Sequence, residues 1–442
     1  MAVVVPLRAE TRSAIETAAA ALPSWSALTA AERGAILVRA GDLLEDRGKE
    51  LARLIAREGG KPLSEARGEV GYAAGFLRFY ASEAESALAP QSHPHPGGKR
   101  VRTLRRPAGV CGLITIWNFP AAGVTRPLGA ALAAGCTAVV KPAEQTPLSA
   151  AAVFEALSDA GLPPGVANLV ITQDPEPVGR ELVENEAVRK LSFTGSAEVG
   201  TALLRDSAAQ AKHVTLELGG HAPFIVLADA DLEAAVEGAV ASKFRNSGQT
   251  CVCLNRVYVE RPAYDEFRDR FAHRVSGLRA GDPLDESTEV GPLIDESALE
   301  RVERHVADAL RRGAELLCGG HRIDGLVFAP TVLAGVPADA LVMREETFGP
   351  VAPLAPVDSE QEAVELANAT PWGLAAYVYG NPERAARLAP ALDYGVVGVN
   401  DPLPAAPHLP FGGIKRSGLG KEGGRAGIEE FLEVQLVSEA HR

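Results

Sequence analysis

From residue 108 onward, short apolar runs alternate with helix-length stretches, and no other feature limits the fold as much. "AGVCGLITIW" precedes a helical stretch from Pro120 to about Gly135, on which Asn118, Ala122 and Arg126 share one face. "TAVVKPA" precedes "PLSAAAVFEALSDAG", and "VANLVIT", "KLSFTGS" and "HVTLELGG" continue the series. Strands this short, apolar on both faces and separated by helices, call for parallel pairing with right-handed crossovers. The expected class is α/β, with a doubly wound parallel sheet. A second alternation, from about 222 to 400, predicts another α/β domain, and the tail "FLEVQLVSEA" returns to strand character. At 442 residues the chain has material for two or three such units.

Upstream, "TAAERGAILVRAGDLLEDRGKELARLIAREGG" reads as one long amphipathic helix. Thr29 and Glu32 form a capping box at its start, and Gly59-Gly60 supplies the stop. The segment "APQSHPHPGGKRVRTLRRP" (89–107) changes character and predicts a linker running into an exposed, basic strand. His93 and His95 have no further ligand nearby, so they read as loop residues and no metal is expected.

A net charge of -13 argues against a nucleic-acid backbone or an anionic membrane as partner. No apolar run approaches the ~18 residues of a membrane span, and "MAVVVPLRAETRS" has no cleavage pattern, so no signal peptide is expected. Five scattered cysteines make no disulfide framework, and the cytoplasm is the expected compartment.

Three turns could carry chemistry. "SFTGSAEVG" runs a strand into Thr194-Gly195-Ser196, where a helix N-terminus offers free N–H groups to a phosphate. "VVKPAEQTP" ends another strand, and its Lys141 and Glu144 either hydrogen-bond ribose hydroxyls or form a solvated loop pair. "GLGKEG" (418–423) fits G-x-G-x-x-G but lacks both the preceding strand and the following βαβ unit, so it reads as a turn. The fourth place is "KFRNSGQTCVC", with Cys251 and Cys253 one residue apart. No metal ligands stand near, and Gly248-Gln249-Thr250 is loop chemistry. Spacing alone leaves open whether Cys251 is a nucleophile or a structural thiol.

Taken together, "ITIWNFP" (114–120), "KPAEQTP" (141–147), "FTGS" (193–196), "LELGG" (216–220), "GQTC" (248–251), "EETFGP" (345–350) and "PFGGIKRSG" (410–418) follow the order of the aldehyde dehydrogenase superfamily. The resemblance runs from about residue 15 to the end. Within the superfamily, "KFRNSGQTCVCLNR" and "PFGGIKRSGLGKEG" are most similar to succinate-semialdehyde dehydrogenases.

The resemblance implies a nucleophile at Cys251, a general base at Glu217 and an oxyanion donor at Asn118. It implies NAD as cofactor, with NADP as the alternative. Lys141 and Glu144 would bind the adenosine ribose, Thr194, Gly195 and Ser196 the pyrophosphate, and Trp117, Glu346 and Phe348 the nicotinamide side. A carboxylate at Glu144 suits a 2′-hydroxyl and repels a 2′-phosphate. Arg126 and Arg245 match arginines that hold a substrate carboxylate. Arg126 should lie roughly 12 Å from Asn118 along the same helix. The expected substrate is succinic semialdehyde. The alternatives are another ω-semialdehyde such as 2-oxoglutarate semialdehyde, or aliphatic aldehydes at large.

In domain terms, residues 1–88 and 108–220 would bind NAD and 221–425 would carry catalysis. Residues 89–107 and 426–442 would supply oligomerisation strands of a homodimer or homotetramer. Three features depart from the family pattern. The chain starts late, Ile116 stands where Pro is usual, and Ala405 and Ala406 replace a Ser that would face the carboxylate, which opens room for a longer substrate. Cys253 is either a small buried residue or the redox partner of Cys251 in a reversible disulfide.

Overall fold

The computed structural model describes residues 8–95 and 97–440, so the N-terminal apolar run lies outside the described residues. The chain opens with four helices: α1 (Arg8–Ala27), α2 (Ala30–Asp46), α3 (Gly48–Gly59) and α4 (Leu63–Leu88). The Thr29–Glu32 capping box is present, and Gly60 ends α3 in the left-handed region at φ 75. The single long helix expected over this stretch is instead two, parted at Arg47 with φ -91 and ψ 10. Gly48, costing about 1 kcal/mol in a helix interior, is the weak point. The break turns Leu51, Ala52, Ile55 and Ala56 into the core.

Next come β1 (Gln91–His93) and the exposed, arginine-rich β2 (Arg100–Pro107). The first alternation is β3 (Val110–Ile114), α5 (Ala122–Ala134), β4 (Thr137–Lys141), α6 (Pro147–Asp159), β5 (Ala167–Leu169), α7 (Pro175–Glu184), β6 (Val188–Thr194), α8 (Ala197–Ser207) and β7 (His213–Glu217). The second is β8 (Ala222–Val226), α9 (Leu232–Lys243), β9 (Leu254–Glu260), α10 (Arg261–Ser276), α11 (Glu296–Arg311), β10 (Glu315–Cys318), β11 (Arg322–Asp324), β12 (Val327–Phe328), β13 (Thr331–Ala334), β14 (Val351–Val357), α12 (Glu360–Asn368), β15 (Ala375–Tyr379), α13 (Pro382–Leu388) and β16 (Val396–Val399). The chain closes with β17 (Gly418–Leu419), α14 (Gly424–Glu429) and β18 (Leu432–Glu439).

The first alternation forms a six-stranded sheet of order β17-β7-β6-β3-β4-β5, parallel except for β17. The second forms a seven-stranded sheet of order β10-β13-β14-β9-β8-β15-β16, parallel except for β10. β1, β2 and β18 make a small antiparallel sheet. Each large sheet is apolar on both faces because successive side chains go to opposite sides. Leu113, Ala138 and Val140 join the core under α2 to α6, while Ile114, Val139 and Leu191 join the one under α1 and α7. Ile225 and Tyr258 likewise part from Phe224 and Val257.

In the six-stranded sheet the strand order reverses between β3 and β6, and ligands in open α/β sheets sit beyond the carboxyl ends at such a reversal. Asn118 follows β3 there. Lys141 ends β4, Thr194 ends β6 and Glu217 ends β7. Among the described residues no helix is long and apolar enough to cross a membrane.

Candidate active site

A cavity of about 340 Å³ opens at this reversal. Asn118, Thr194, Cys251, Arg126 and Arg245 all line it, so the structure gathers both arginines with the nucleophile and oxyanion candidates. The route differs from the expected one. α5 begins at Ala122 rather than near Asn118, and residues 117–120 form turns. The start is set from outside the helix, by Glu69 Oε1 accepting from the N–H of Ala121 at 2.9 Å and of Ala122 at 3.3 Å. No local residue caps the helix. Asn118 is therefore not one helix face with Arg126.

Asn118 is instead stitched to the cysteine loop. Its Nδ2 donates to the Gln249 carbonyl at 3.0 Å, and its own carbonyl accepts from Asn246 Nδ2 at 3.0 Å. That loop is strained: Asn246 and Ser247 stand at φ 50 and φ 58, followed by Gly248 at φ 75. Non-glycine residues hold this region at a cost of about 1–3 kcal/mol each, and only when their surroundings enforce it. Here Glu65 enforces it, its Oε2 accepting from the Asn246 N–H at 2.6 Å.

Cys251 is partly exposed in the cavity, and burial pushes its thiol up to about 12, although Arg126 pulls the other way. Glu217 is 3% exposed, and neither carboxylate oxygen has a hydrogen-bond partner. Burial first, then the nearby Glu422, raises its pKa well above the carboxylate range. Its backbone carbonyl accepts from the Gly195 N–H at 3.0 Å, while its carboxylate stands outside the cavity lining and against Gly412, where an added Cβ would meet Oε1 at 2.4 Å. Close approach explains the two glycines that follow. A Cβ on Gly220 would meet the Cys251 carbonyl at 2.4 Å, and one on Gly219 would meet Glu346 Oε2 at 2.6 Å. Glu346 accepts from the Gly220 N–H at 3.0 Å, and burial raises its carboxyl to about 7.

The two arginines are not equivalent. Arg126 is buried in an ion pair with Glu422 at 2.5 Å, with Ser192 donating to the other Glu422 oxygen at 3.1 Å. Arg245 lies 5.5 Å over the Phe119 ring, and its buried Nε has no hydrogen-bond partner. It is the cation with capacity to spare. Cys253 is buried away from the cavity lining, its thiol donating to the Gly248 carbonyl at 3.2 Å with Lys243 Nζ 3.7 Å away. Both cysteines are free thiols.

The expected cofactor residues stand on the neighbouring crest. Lys141 and Glu144 form an ion pair. Ser196 caps α8, accepting from the Val199 N–H at 3.3 Å. Trp117 and Phe348 pack edge to face at 5.5 Å. This set fits a dinucleotide. Leu148 and Val199, in the first turns of α6 and α8, are exposed apolar side chains close in sequence to Glu144 and Ser196. Lys141 and Glu144 offer donors and acceptors for sugar hydroxyls.

Sequence reasoning passed over Lys61, Glu65, Glu69, Phe119 and Phe411, which all line the cavity, and Glu422, which pairs with Arg126. One signal was available for Glu69. It falls three residues after Ala66 and four before Ala73, inside the buried stripe of α4, where an acid demands a partner.

Comparison with known proteins gives the family and the fold. Residues 6–437 match the aldehyde dehydrogenase family. The chain is 52% identical over 431 residues to a succinate-semialdehyde dehydrogenase [NADP(+)] of Escherichia coli K12, covering 97% of this chain and 89% of that one. It is 51% identical over 430 residues to a glutarate-semialdehyde dehydrogenase of Pseudomonas putida KT2440, with the same coverage of 97% and 89%. The crystal structure of succinate-semialdehyde dehydrogenase from Burkholderia pseudomallei superposes with a TM-score of 0.97 at 50% identity, over 98% of this chain and 91% of that one.

Proposed function

The chain belongs to the aldehyde dehydrogenase family, and on that premise we propose that it oxidises a carboxylate-bearing aldehyde, foremost succinic semialdehyde to succinate, with NAD. The observation that carries this reading is one cavity lined by Cys251, Asn118, Arg126 and Arg245. Cys251 attacks the aldehyde carbon to give a thiohemiacetal. Its oxygen is held by the Asn118 side-chain amide and the Cys251 backbone N–H. Asn118 Nδ2 spends one hydrogen on Gln249 and keeps the second for this task. One such donor is typically worth about 3 kcal/mol of transition-state stabilisation. When bound, NAD supplies the hydride acceptor that carries this adduct to a thioester. Glu217, whose carboxylate lacks competing partners, takes a proton from the water that hydrolyses the thioester, and the thiol is restored.

Lys141 and Glu144 would hold the adenosine ribose, Thr194, Gly195 and Ser196 the pyrophosphate, and Trp117, Glu346 and Phe348 the nicotinamide side. The Glu144 carboxylate favours NAD over NADP by charge, whereas the Escherichia coli relative is named for NADP(+). Arg245 takes the substrate carboxylate, with Arg126 contributing field. A second reading, a longer ω-semialdehyde, draws support from Ala405 and Gly123 in the cavity lining and from the relatives named glutarate-semialdehyde dehydrogenase.

We further assign residues 1–88 and 108–220 to cofactor binding, 221–425 to catalysis, and 89–107 with 426–442 to a homo-oligomer interface. Val434 and Leu436, 61% and 64% exposed, support the interface. Free cysteines favour a reducing cytoplasm.

The test is the rate of NADH formation with succinic semialdehyde, glutaric semialdehyde and butanal. A preference of about a hundredfold in kcat/KM for a semialdehyde acid corresponds to ~2.7 kcal/mol of carboxylate recognition. Equal values for butanal would remove the arginines from substrate binding.

A further inference from the structure

Two acids at the start of α4 take no part in the chemistry proposed above, yet each reaches one half of the site. Glu65 and Glu69 are one helical turn apart, about 6 Å along a single face. Glu69 is 3% exposed and accepts from the N–H groups of Ala121 and Ala122, the residues that follow the Asn118 turn. Its other oxygen pairs with Lys61, whose ammonium lies 3.7 Å over the Phe119 ring. Glu65 accepts from the N–H of Asn246, the first left-handed residue of the loop that delivers Cys251. The two loops are then tied together by Asn246 and Asn118 across the Gln249 carbonyl.

From this geometry we propose that Glu65 and Glu69 are positioning residues for the acylation step. One rigid helix turn sets the separation between the two oxyanion donors, the Asn118 amide and the Cys251 backbone N–H. Each donor sits on an irregular loop with no regular structure to hold it, and α4 is the ruler against which both are registered. A carboxyl side chain fits because its oxygens accept from backbone N–H groups; at Glu65 burial raises the pKa, and the Asn246 N–H opposes that rise. The inference rests on the roles proposed for Cys251 and Asn118.

The experiment uses the full chain with saturating NAD. It compares Glu65→Ala, Glu65→Gln, Glu69→Ala and Glu69→Gln with the unaltered protein. Three quantities are read: kcat and KM for the aldehyde, the rate of Cys251 alkylation by iodoacetamide, and Tm. Alkylation needs the thiol but no oxyanion donor. In the alanine variants kcat should fall about 100-fold, the loss expected of a roughly 1 Å displacement, with KM for the aldehyde changed by less than about threefold. Alkylation should stay within about threefold, and each glutamine variant should recover about tenfold of the lost kcat.

Two results would overturn the proposal. One is kcat within about threefold of the unaltered protein in folded Glu65→Ala. The other is alkylation, Tm and turnover declining in parallel, which marks simple loss of structure. If the Glu69 variants fail to fold, because Lys61 is left buried without its partner, the Glu65 pair decides alone. Cys251→Ala is run alongside. Turnover surviving in that variant would refute the chemistry itself and is distinguishable from failure of the ruler.

Discussion

The crest that would hold the cofactor and the cavity around Cys251 manage charge in opposite ways. On the crest, partners are close in sequence: buried Lys141 pairs with half-buried Glu144 three residues on, and exposed Ser196 caps its own helix. In the cavity, partners come from opposite ends of the chain and are sealed. Arg126 meets Glu422, Glu69 meets the start of α5, and Glu65 meets the cysteine loop. If Glu144 is removed, Lys141 keeps a local acceptor in the Pro142 carbonyl at 3.0 Å. Removal of a partner near Cys251 leaves an uncompensated charge where water does not reach. Substitutions at the paired charges of the cavity, Arg126 and Glu69, therefore mix folding with chemistry, whereas Arg245, which makes no ion pair among the described residues, keeps the two apart.

The largest effect should come from Cys251→Ala, with NADH formation reduced by about 10⁴-fold or more while the circular dichroism spectrum is unchanged. Arg126→Met should destabilise by about 3–5 kcal/mol, read from urea unfolding, because Glu422 is left buried and unpaired. Arg126→Met combined with Glu422→Leu should regain most of that stability without regaining activity. Recovery of activity in the double variant would break the distinction drawn above. Arg245→Met, which breaks no ion pair, should lower kcat/KM for succinic semialdehyde by about 30–100-fold and leave butanal turnover and Tm nearly unchanged.

Next in size is pH. Cys251 and Glu217 act in their deprotonated forms, and burial raises the pKa of both. The active fraction must then grow as pH rises. With one group limiting, kcat/KM should climb by about tenfold per unit from neutral into alkaline solution. Arg126 lowers the Cys251 pKa, so Arg126→Met should displace the profile to more alkaline pH. A flat profile between pH 7 and about 9 would contradict this. The smallest effect belongs to the crest. Glu144→Gln, which keeps an acceptor for Lys141, should raise kcat/KM with NADP by about tenfold, measured from NADPH formation.

This division also explains what could be read from the sequence. The apolar rhythm from residue 108 gave both large sheets, because strands buried on two faces leave little freedom in composition. Lys141 and Thr194 stand at the strand ends where the alternation predicts them, whereas Trp117, Glu346 and Phe348 are legible only through the family resemblance. The start of α5 did not, since its cap is a side chain supplied by α4 some fifty residues earlier. The split at Arg47 was hidden because both halves keep helical periodicity and only the direction changes. Glu422 is not legible because its segment, GLGKEG, reads as a plain turn, whereas its importance lies in Arg126, a partner no local pattern could reveal.

β17 has a consequence in time. It pairs with β7 antiparallel, Gly418 opposite Glu217 and Leu419 opposite Leu216, and so covers the edge on which the proposed base sits. A ribosome adding 5–20 residues per second takes roughly 10–40 s to travel the ~200 residues between these strands. Throughout that interval the nascent six-stranded sheet presents an open edge at β7, able to pair with a neighbouring chain. Only when β17 arrives is the Leu216–Glu217 end of that edge paired, so the strand end that carries the proposed base is covered late in synthesis.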